Sequence, residues 1–130
     1  MRFVLDASAV VAFVIARGGS PVDRFVASDA SFHVPAICDV EVVSALLVQV
    51  RRGRLSDAQA REALIDYVSM PFTRHLHVHL IGRAFELGDN FTSADASYVA
   101  LAEALDADLV TLDRPLARAT RRHTQVHCMP

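Results

Sequence analysis

The stretch Arg2–Ser8, RFVLDAS, joins a strand pattern to a helical one and leaves an acid at the junction. Phe3, Val4 and Leu5 form an unbroken apolar run, as in a strand covered on both faces within a parallel sheet. Directly after Asp6, the run Ala9–Ile15 carries an apolar helical pattern. Asp6 is therefore expected at the carboxyl end of a buried strand and the entrance to a helix, where open α/β sheets bind ligands. An aspartate at that place also serves as a plain N-cap. The choice between the two depends on whether other carboxylates arrive at the same point.

The rest of the chain repeats the strand–helix alternation. The first helix is expected to end near Gly18-Gly19, and Ser20-Pro21 opens a short helix to about Ala27. Ser31–Val34 reads as a strand. Pro35 begins a long helix ending at Gly53, apolar nearly all round and so expected to be largely buried. Ser56 with Gln59 has the spacing of a capping box, and a helix follows to about Val68. Phe72–Val78 reads as a strand, Leu80–Leu87 as a helix, and Thr92 or Ser93 caps a helix running to Leu105. Asp108–Leu112 repeats the buried-strand pattern and ends in Asp113. A short helix over Arg114–Arg121 and a final edge strand at Gln125–His127 complete the chain. This order predicts a three-layer α/β/α sandwich with a mostly parallel sheet, built as one domain over residues 1–130.

Composition narrows the class. No run approaches the ~18 apolar residues of a membrane span, and the N-terminus lacks the layout of a signal peptide; a cytoplasmic protein is expected. Cys38 and Cys128 form no CxxC pair and read as reduced, structural thiols. The net charge of −2 excludes a global basic field, although arginines cluster at Arg51, Arg52 and Arg54 and again at Arg114, Arg118, Arg121 and Arg122.

Four acids stand out from this frame. Asp6 and Asp113 each end a buried strand, and adjacent parallel strands would bring them to one edge. Asp95, at a helix start, and Glu41, on an apolar helix, are able to face the same point. Asp39 lies in the first turn of its helix, where the macrodipole favours an anion. Gathered carboxylates repel one another, and a hard divalent cation such as Mg²⁺ or Mn²⁺ relieves that repulsion. It also activates water and orients a phosphodiester. His75, His77 and His79 offer a different metal reading, since alternate residues share one face of a strand and three histidines suit zinc. The plainer reading, preferred here, is a half-exposed edge strand with its polar residues outward.

LDAS near the N-terminus, VPAICDVEVVSALL, TSADASYVALAEAL and LVTLDRPLAR, in that order and across essentially the whole chain, resemble the PIN domain, and specifically the VapC toxins of bacterial toxin–antitoxin pairs. The resemblance implies that Asp6, Glu41, Asp95 and Asp113 form an acidic quartet binding Mg²⁺ or Mn²⁺. Asp6, Asp95 and Asp113 would position metal, and Glu41 would ligate through water or help deprotonate the nucleophile. Ser8 matches the small hydroxyl residue that supports the metal shell, and Thr111 is a further candidate. The implied activity is endoribonuclease cleavage of single-stranded or looped RNA, leaving a 5′-phosphate and a 3′-hydroxyl. Implied partners are a second copy of the chain and a VapB-type antitoxin, for which the apolar helices near Ala9–Ala16 and Pro21–Ala27 offer a groove. Arg114 and Arg118, beside the fourth acid, are the candidates for holding RNA. The chain departs from the family pattern at Ala94, where relatives often carry an aromatic residue, and at Leu76, which replaces the proline of an RHPH-like segment.

Three other functions compete. A phospho-acceptor receiver domain needs a lysine, and this chain has none. A zinc protein would rest on the three histidines. A non-catalytic PIN-fold module, docking RNA or a protein without cutting, is the remaining alternative.

Overall fold

The structure, a computed structural model, describes residues 1–16 and 18–129. Its elements in order are β1 (Arg2–Leu5), α1 (Ala7–Ala16), α2 (Asp23–Val26), β2 (Ser31–Pro35), α3 (Ile37–Arg51), α4 (Asp57–Ser69), β3 (Phe72–His75), α5 (Ile81–Glu86), α6 (Ser93–Leu105), β4 (Asp108–Thr111), α7 (Arg114–Thr120) and β5 (Val126–Cys128). A 3₁₀ turn at Leu87–Asp89 extends α5.

The five strands form one sheet in the order β3-β2-β1-β4-β5, and every pairing is parallel. Helices α1, α3 and α4 pack together as one group and α5 with α6 as another, while β1 touches both α1 and α6. Phe3, Val4 and Leu5 are accordingly buried along the whole run, as are Leu109, Val110 and Thr111 of β4. The expected three-layer α/β/α sandwich is what the chain forms, with a sheet that is parallel throughout.

The strand order places the ligand crevice. From β1 the chain steps outward to β2 and then β3; it returns through α6 to lay β4 on the other side of β1. Connections therefore leave β1 and β4 in opposite directions, and a crevice opens outside their carboxyl ends. Asp6 follows the last residue of β1 and Asp113 lies two residues beyond β4.

Local signals held at several boundaries. Ser56 Oγ accepts from Gln59 N at 3.0 Å and Gln59 Oε1 accepts from Ser56 N at 2.9 Å, the reciprocal box that starts α4. Gly53 closes the turn after α3 with φ of +71°, a conformation that suits a residue without Cβ. Ser20 Oγ accepts from Val22 N, but the helix itself starts at Asp23. The expected last turn of α1 falls on Arg17, outside the described residues.

Two expectations fail. Pro35 is the last residue of β2 rather than the first of α3, paired in register with His75. And α3 is not buried all round. Cys38, Val42 and Leu46 form its buried row, whereas Val40, Val43 and Leu47 are 65%, 44% and 45% exposed. Helices α1 and α4 and strand β2 pack against the buried row and, among the described residues, leave the outer row exposed. The sequence pattern reports side chains able to be buried; the number of neighbours decides which are.

Candidate active site

The junction that opens the chain is held by a dense set of hydrogen bonds. Asp6 is 5% exposed. Its backbone N–H donates to Val110 O at 3.1 Å, extending the β1–β4 ladder. Its Oδ1 accepts from Ser8 Oγ at 2.6 Å and from Ala9 N at 3.0 Å, and its Oδ2 accepts from Thr111 Oγ1 at 2.6 Å. The bond from Ala9 makes Asp6 an N-cap of α1, so the plain reading is correct as far as it goes. A carboxylate offers about four lone-pair sites; three donors leave one open.

Ser8 and Thr111 stitch the two strand ends together. Ser8 Oγ accepts from Leu112 N at 3.0 Å and Thr111 Oγ1 accepts from Asp113 N at 2.9 Å. Each hydroxyl has one proton, and an ionised Asp6 takes both. The 3.4 Å approach of Ser8 Oγ to Thr111 Oγ1 is then a contact between two acceptors. Burial pushes the Asp6 carboxyl above its ordinary value, the bonds from Ser8, Thr111 and Ala9 pull it back, and the charge of Asp113 pushes it up again.

Asp113 is exposed and caps α7, with Oδ1 accepting from Leu116 N at 3.0 Å. Asp95 sits in the first turn of α6, where its backbone N–H donates to Thr92 Oγ1 at 3.2 Å. Burial raises the Asp95 carboxyl, and Asp113 raises it further. The charge of Asp113 thus acts on both Asp6 and Asp95. Asp6 follows β1, Asp113 follows β4 and Asp95 opens α6, with Asp113 the acid that acts on the other two.

Glu41 stands differently. It is half-buried on α3, and its Oε1 accepts from Tyr98 Oη at 2.7 Å. Tyr98 lies on α6, three residues after Asp95, so the glutamate is tied to the same helix. Among the described residues, no three His, Cys, Asp or Glu side chains close into a group that holds a metal ion by themselves. The donor chemistry nevertheless suits a hard cation: oxygen ligands, an open lone pair on Asp6, and mutual repulsion that a divalent charge relieves. Ligation shared between these carboxylates and water is the arrangement that fits.

The three histidines do not assemble. β3 ends at His75, so His77 and His79 lie beyond the strand and share no face with it. His75 Nε2 bonds His33 Nδ1 at 2.9 Å across the β2–β3 pair. His77 Nε2 accepts from Ile37 N at 3.0 Å and so satisfies a free donor at the start of α3. The zinc reading is overturned by these partners. The helices offered for a partner groove, α1 and α2, both turn apolar side chains to the core. Val11, Phe13 and Ile15 pack against the core, and the small cleft beside α1 lies against α4. The large apolar cleft, about 820 Å³, lies between α5 and the start of α6, with Phe85, Ala94 and Ser97 among its walls.

Arg114 and Arg118 are exposed on α7 beside Asp113. Cys38 and Cys128 are free, and burial pushes the Cys38 thiol up, which keeps it inert. The contributions of Tyr98 and His77 had no local signal, because each acts on a residue at least 40 positions away.

An open parallel sheet with its carboxylates at the switch point defines a class of α/β protein with an acidic crevice. Within that class the chain belongs to the PIN domain family, whose profile matches residues 3–122. It is 36% identical over 127 residues to a Mycobacterium tuberculosis protein named Ribonuclease VapC9, covering 98% of each chain. It is 35% identical over 124 residues to Ribonuclease VapC12 of the same species, covering 95% of each. Among solved structures, PAE2754 from Pyrobaculum aerophilum superposes with a TM-score of 0.71 at 26% identity, over 97% of this chain and 83% of that one. VapBC2 from Rickettsia felis, solved bound to a DNA fragment from its promoter, superposes at 0.69 with 15% identity over the whole of both chains.

Proposed function

We propose that this chain is a metal-dependent endoribonuclease and the toxin of a VapBC-type toxin–antitoxin pair, acting as a single domain in the cytoplasm. The observation that carries the reading is the meeting of Asp6, Asp95 and Asp113 at the switch point, with the charge of Asp113 felt by both others. The full-length likeness to proteins named VapC ribonucleases supports the substrate class. Among the described residues, no helix is long and apolar enough to cross a membrane.

In this reading Asp6, Asp95 and Asp113 hold Mg²⁺ or Mn²⁺, and Glu41 completes the set directly or through water. When bound, the cation supplies a low-pKa water and neutralises charge on the phosphodiester. Ser8 and Thr111 fix both oxygens of Asp6, so that its remaining lone pair has one direction. Arg114 and Arg118 engage the RNA backbone beside Asp113. Glu41 also helps to take the proton from the attacking water. The products are a 5′-phosphate and a 3′-hydroxyl.

Two protein partners belong to the proposal. A VapB-type antitoxin restrains the toxin. A second copy covers part of the apolar surface: among the described residues, the exposed large apolar side chains other than Met1 all lie between Val40 and Phe85, with Leu76 at 75% and Phe85 at 88%.

The test uses purified protein freed of antitoxin, total RNA from its own organism, Mg²⁺ or Mn²⁺, chelator, and Asp6→Asn alongside. Expected are discrete cuts that need the cation and fall by at least about 100-fold in the variant, in line with losing a group on which charge stabilisation depends. Cutting that survives both chelator and Asp6→Asn would sink the proposal. A folded protein that binds RNA and cuts none would return the function to the binding-module reading.

A further inference from the structure

Two acids near the start of α3, Asp39 and Glu41, are each held by a buried tyrosine. Tyr67 of α4, 3% exposed, donates to Asp39 Oδ1 at 2.5 Å, and Tyr98 of α6, 1% exposed, donates to Glu41 Oε1 at 2.7 Å. Cys38 interacts with both phenols from between them. The two pairs then part company. Asp39 also receives Arg74 Nε at 2.8 Å, and the guanidinium lies 5.1 Å over the Tyr67 ring. The charge of Asp39 is paired with that of Arg74 at a half-exposed position.

Glu41 receives no such cation. The bond from Tyr98 is the one hydrogen bond its side chain makes among the described residues. A phenol is a neutral donor, so it orients a carboxylate and leaves the negative charge available. Tyr98 sits one helical turn beyond Asp95 on the same face of α6. A rigid, fully buried ring therefore couples the carboxylate of α3 to the helix that presents Asp95.

We propose that Tyr98 is a positioning residue that holds Glu41 at a fixed distance from Asp95 with its charge unspent, so that the two acids serve one cation. The proposal rests on the reading of Glu41 as part of the nuclease site. Tyr98 touches neither water nor RNA in this role; it acts through Glu41.

The experiment compares wild type with Tyr98→Phe, Glu41→Gln, the double variant and Tyr67→Phe. It reads Mn²⁺ binding by calorimetry without RNA, kcat and KM for RNA cleavage, and thermal melting. Tyr98→Phe keeps the ring and is expected to fold. It should weaken Mn²⁺ binding and lower kcat by on the order of tenfold, the scale of a hydrogen bond to a charged group, with KM unchanged. In the Glu41→Gln background, Tyr98→Phe should weaken Mn²⁺ binding no further, because coupled residues are not additive. Tyr67→Phe loosens the twin bond on the same helix and should leave Mn²⁺ binding and kcat as they were. If Tyr98→Phe melts early, Mn²⁺ binding is read well below its melting temperature, where the same loss should appear. An additive double variant, or equal losses in Tyr67→Phe, would overturn the inference and leave a general loosening of α3. Glu41→Gln inactive beside an unaffected Tyr98→Phe would overturn the inference alone. Wild-type cleavage by Glu41→Gln would remove the reading beneath it.

Discussion

The ends of β1 and β4 carry the same residue type at the same edge of the sheet and treat it in opposite ways. Asp6 is buried, takes three hydrogen bonds, and is one of the most constrained side chains in the molecule. Asp113 is exposed and makes one side-chain bond, to its own helix. The buried acid is fixed by donors that arrive from both strand ends; the exposed one is free to respond to whatever enters the crevice. The same edge of the sheet thus carries one preformed carboxylate and one adaptable one. The link between them is Thr111, which donates to one and accepts from the backbone of the other.

Removing that link should produce the largest effect on the fold. Thr111→Val keeps the shape and strips both bonds from a residue with no exposure. It leaves Asp6 Oδ2 without a partner, and a loss of roughly 1–3 kcal/mol is expected in chemical denaturation. Cleavage should fall by roughly 10–100-fold, as for other residues that support a ligand rather than act as one.

Asp113 separates charge from capping. Asp113→Ala should cost about 1 kcal/mol through loss of the α7 cap. Asp113→Asn retains an oxygen for Leu116 N and should melt within experimental error of wild type. Both should fail to cleave. An active Asp113→Asn would show that the exposed acid serves α7 alone, and the contrast with Asp6 would lose its functional meaning.

The smallest effect is electrostatic. The folded state raises the Asp6 carboxyl above its ordinary 3.8. A group raised in this way favours the fold when protonated, and that contribution fades as pH climbs through the raised value. Asp6→Asn removes the penalty. Without divalent cation, the variant's melting temperature should therefore gain on wild type as the pH goes from 4 to 7. Added Mn²⁺ should raise the wild-type melting temperature and leave the variant's nearly still. A difference that stays flat with pH would mean that the bonds from Ser8, Thr111 and Ala9 fully compensate the burial of Asp6.

Much of this was legible in the sequence, for physical reasons. Phe3-Val4-Leu5-Asp6 and Leu109–Asp113 combine a two-faced apolar run with an acid, and a parallel sheet is the structure that satisfies both. Ser56 and Gln59 needed only each other. The parts that stayed hidden depend on distant neighbours. Nothing near Val40, Val43 or Leu47 in sequence says that their side of α3 is bare. Nothing in the RHLH segment says that His77 is used by the amide of Ile37. Thr111 ranked below Ser8 as a candidate, yet it holds the second oxygen of Asp6 as closely as Ser8 holds the first. Tyr98 reads as core from its spacing, and it is core; its hydroxyl has a second occupation that spacing does not encode.

Asp6 and Thr111, bonded in the finished protein, are 105 residues apart in the chain. A ribosome adding roughly 5–20 residues per second needs about 5–20 s between them. Until β4 arrives, β1 lacks the neighbour that carries Thr111 and Asp113, and the crevice has one wall. An unfinished chain is therefore an unarmed one. The acidic crevice comes into being only when nearly the whole chain has been made, because β4 is among its last elements.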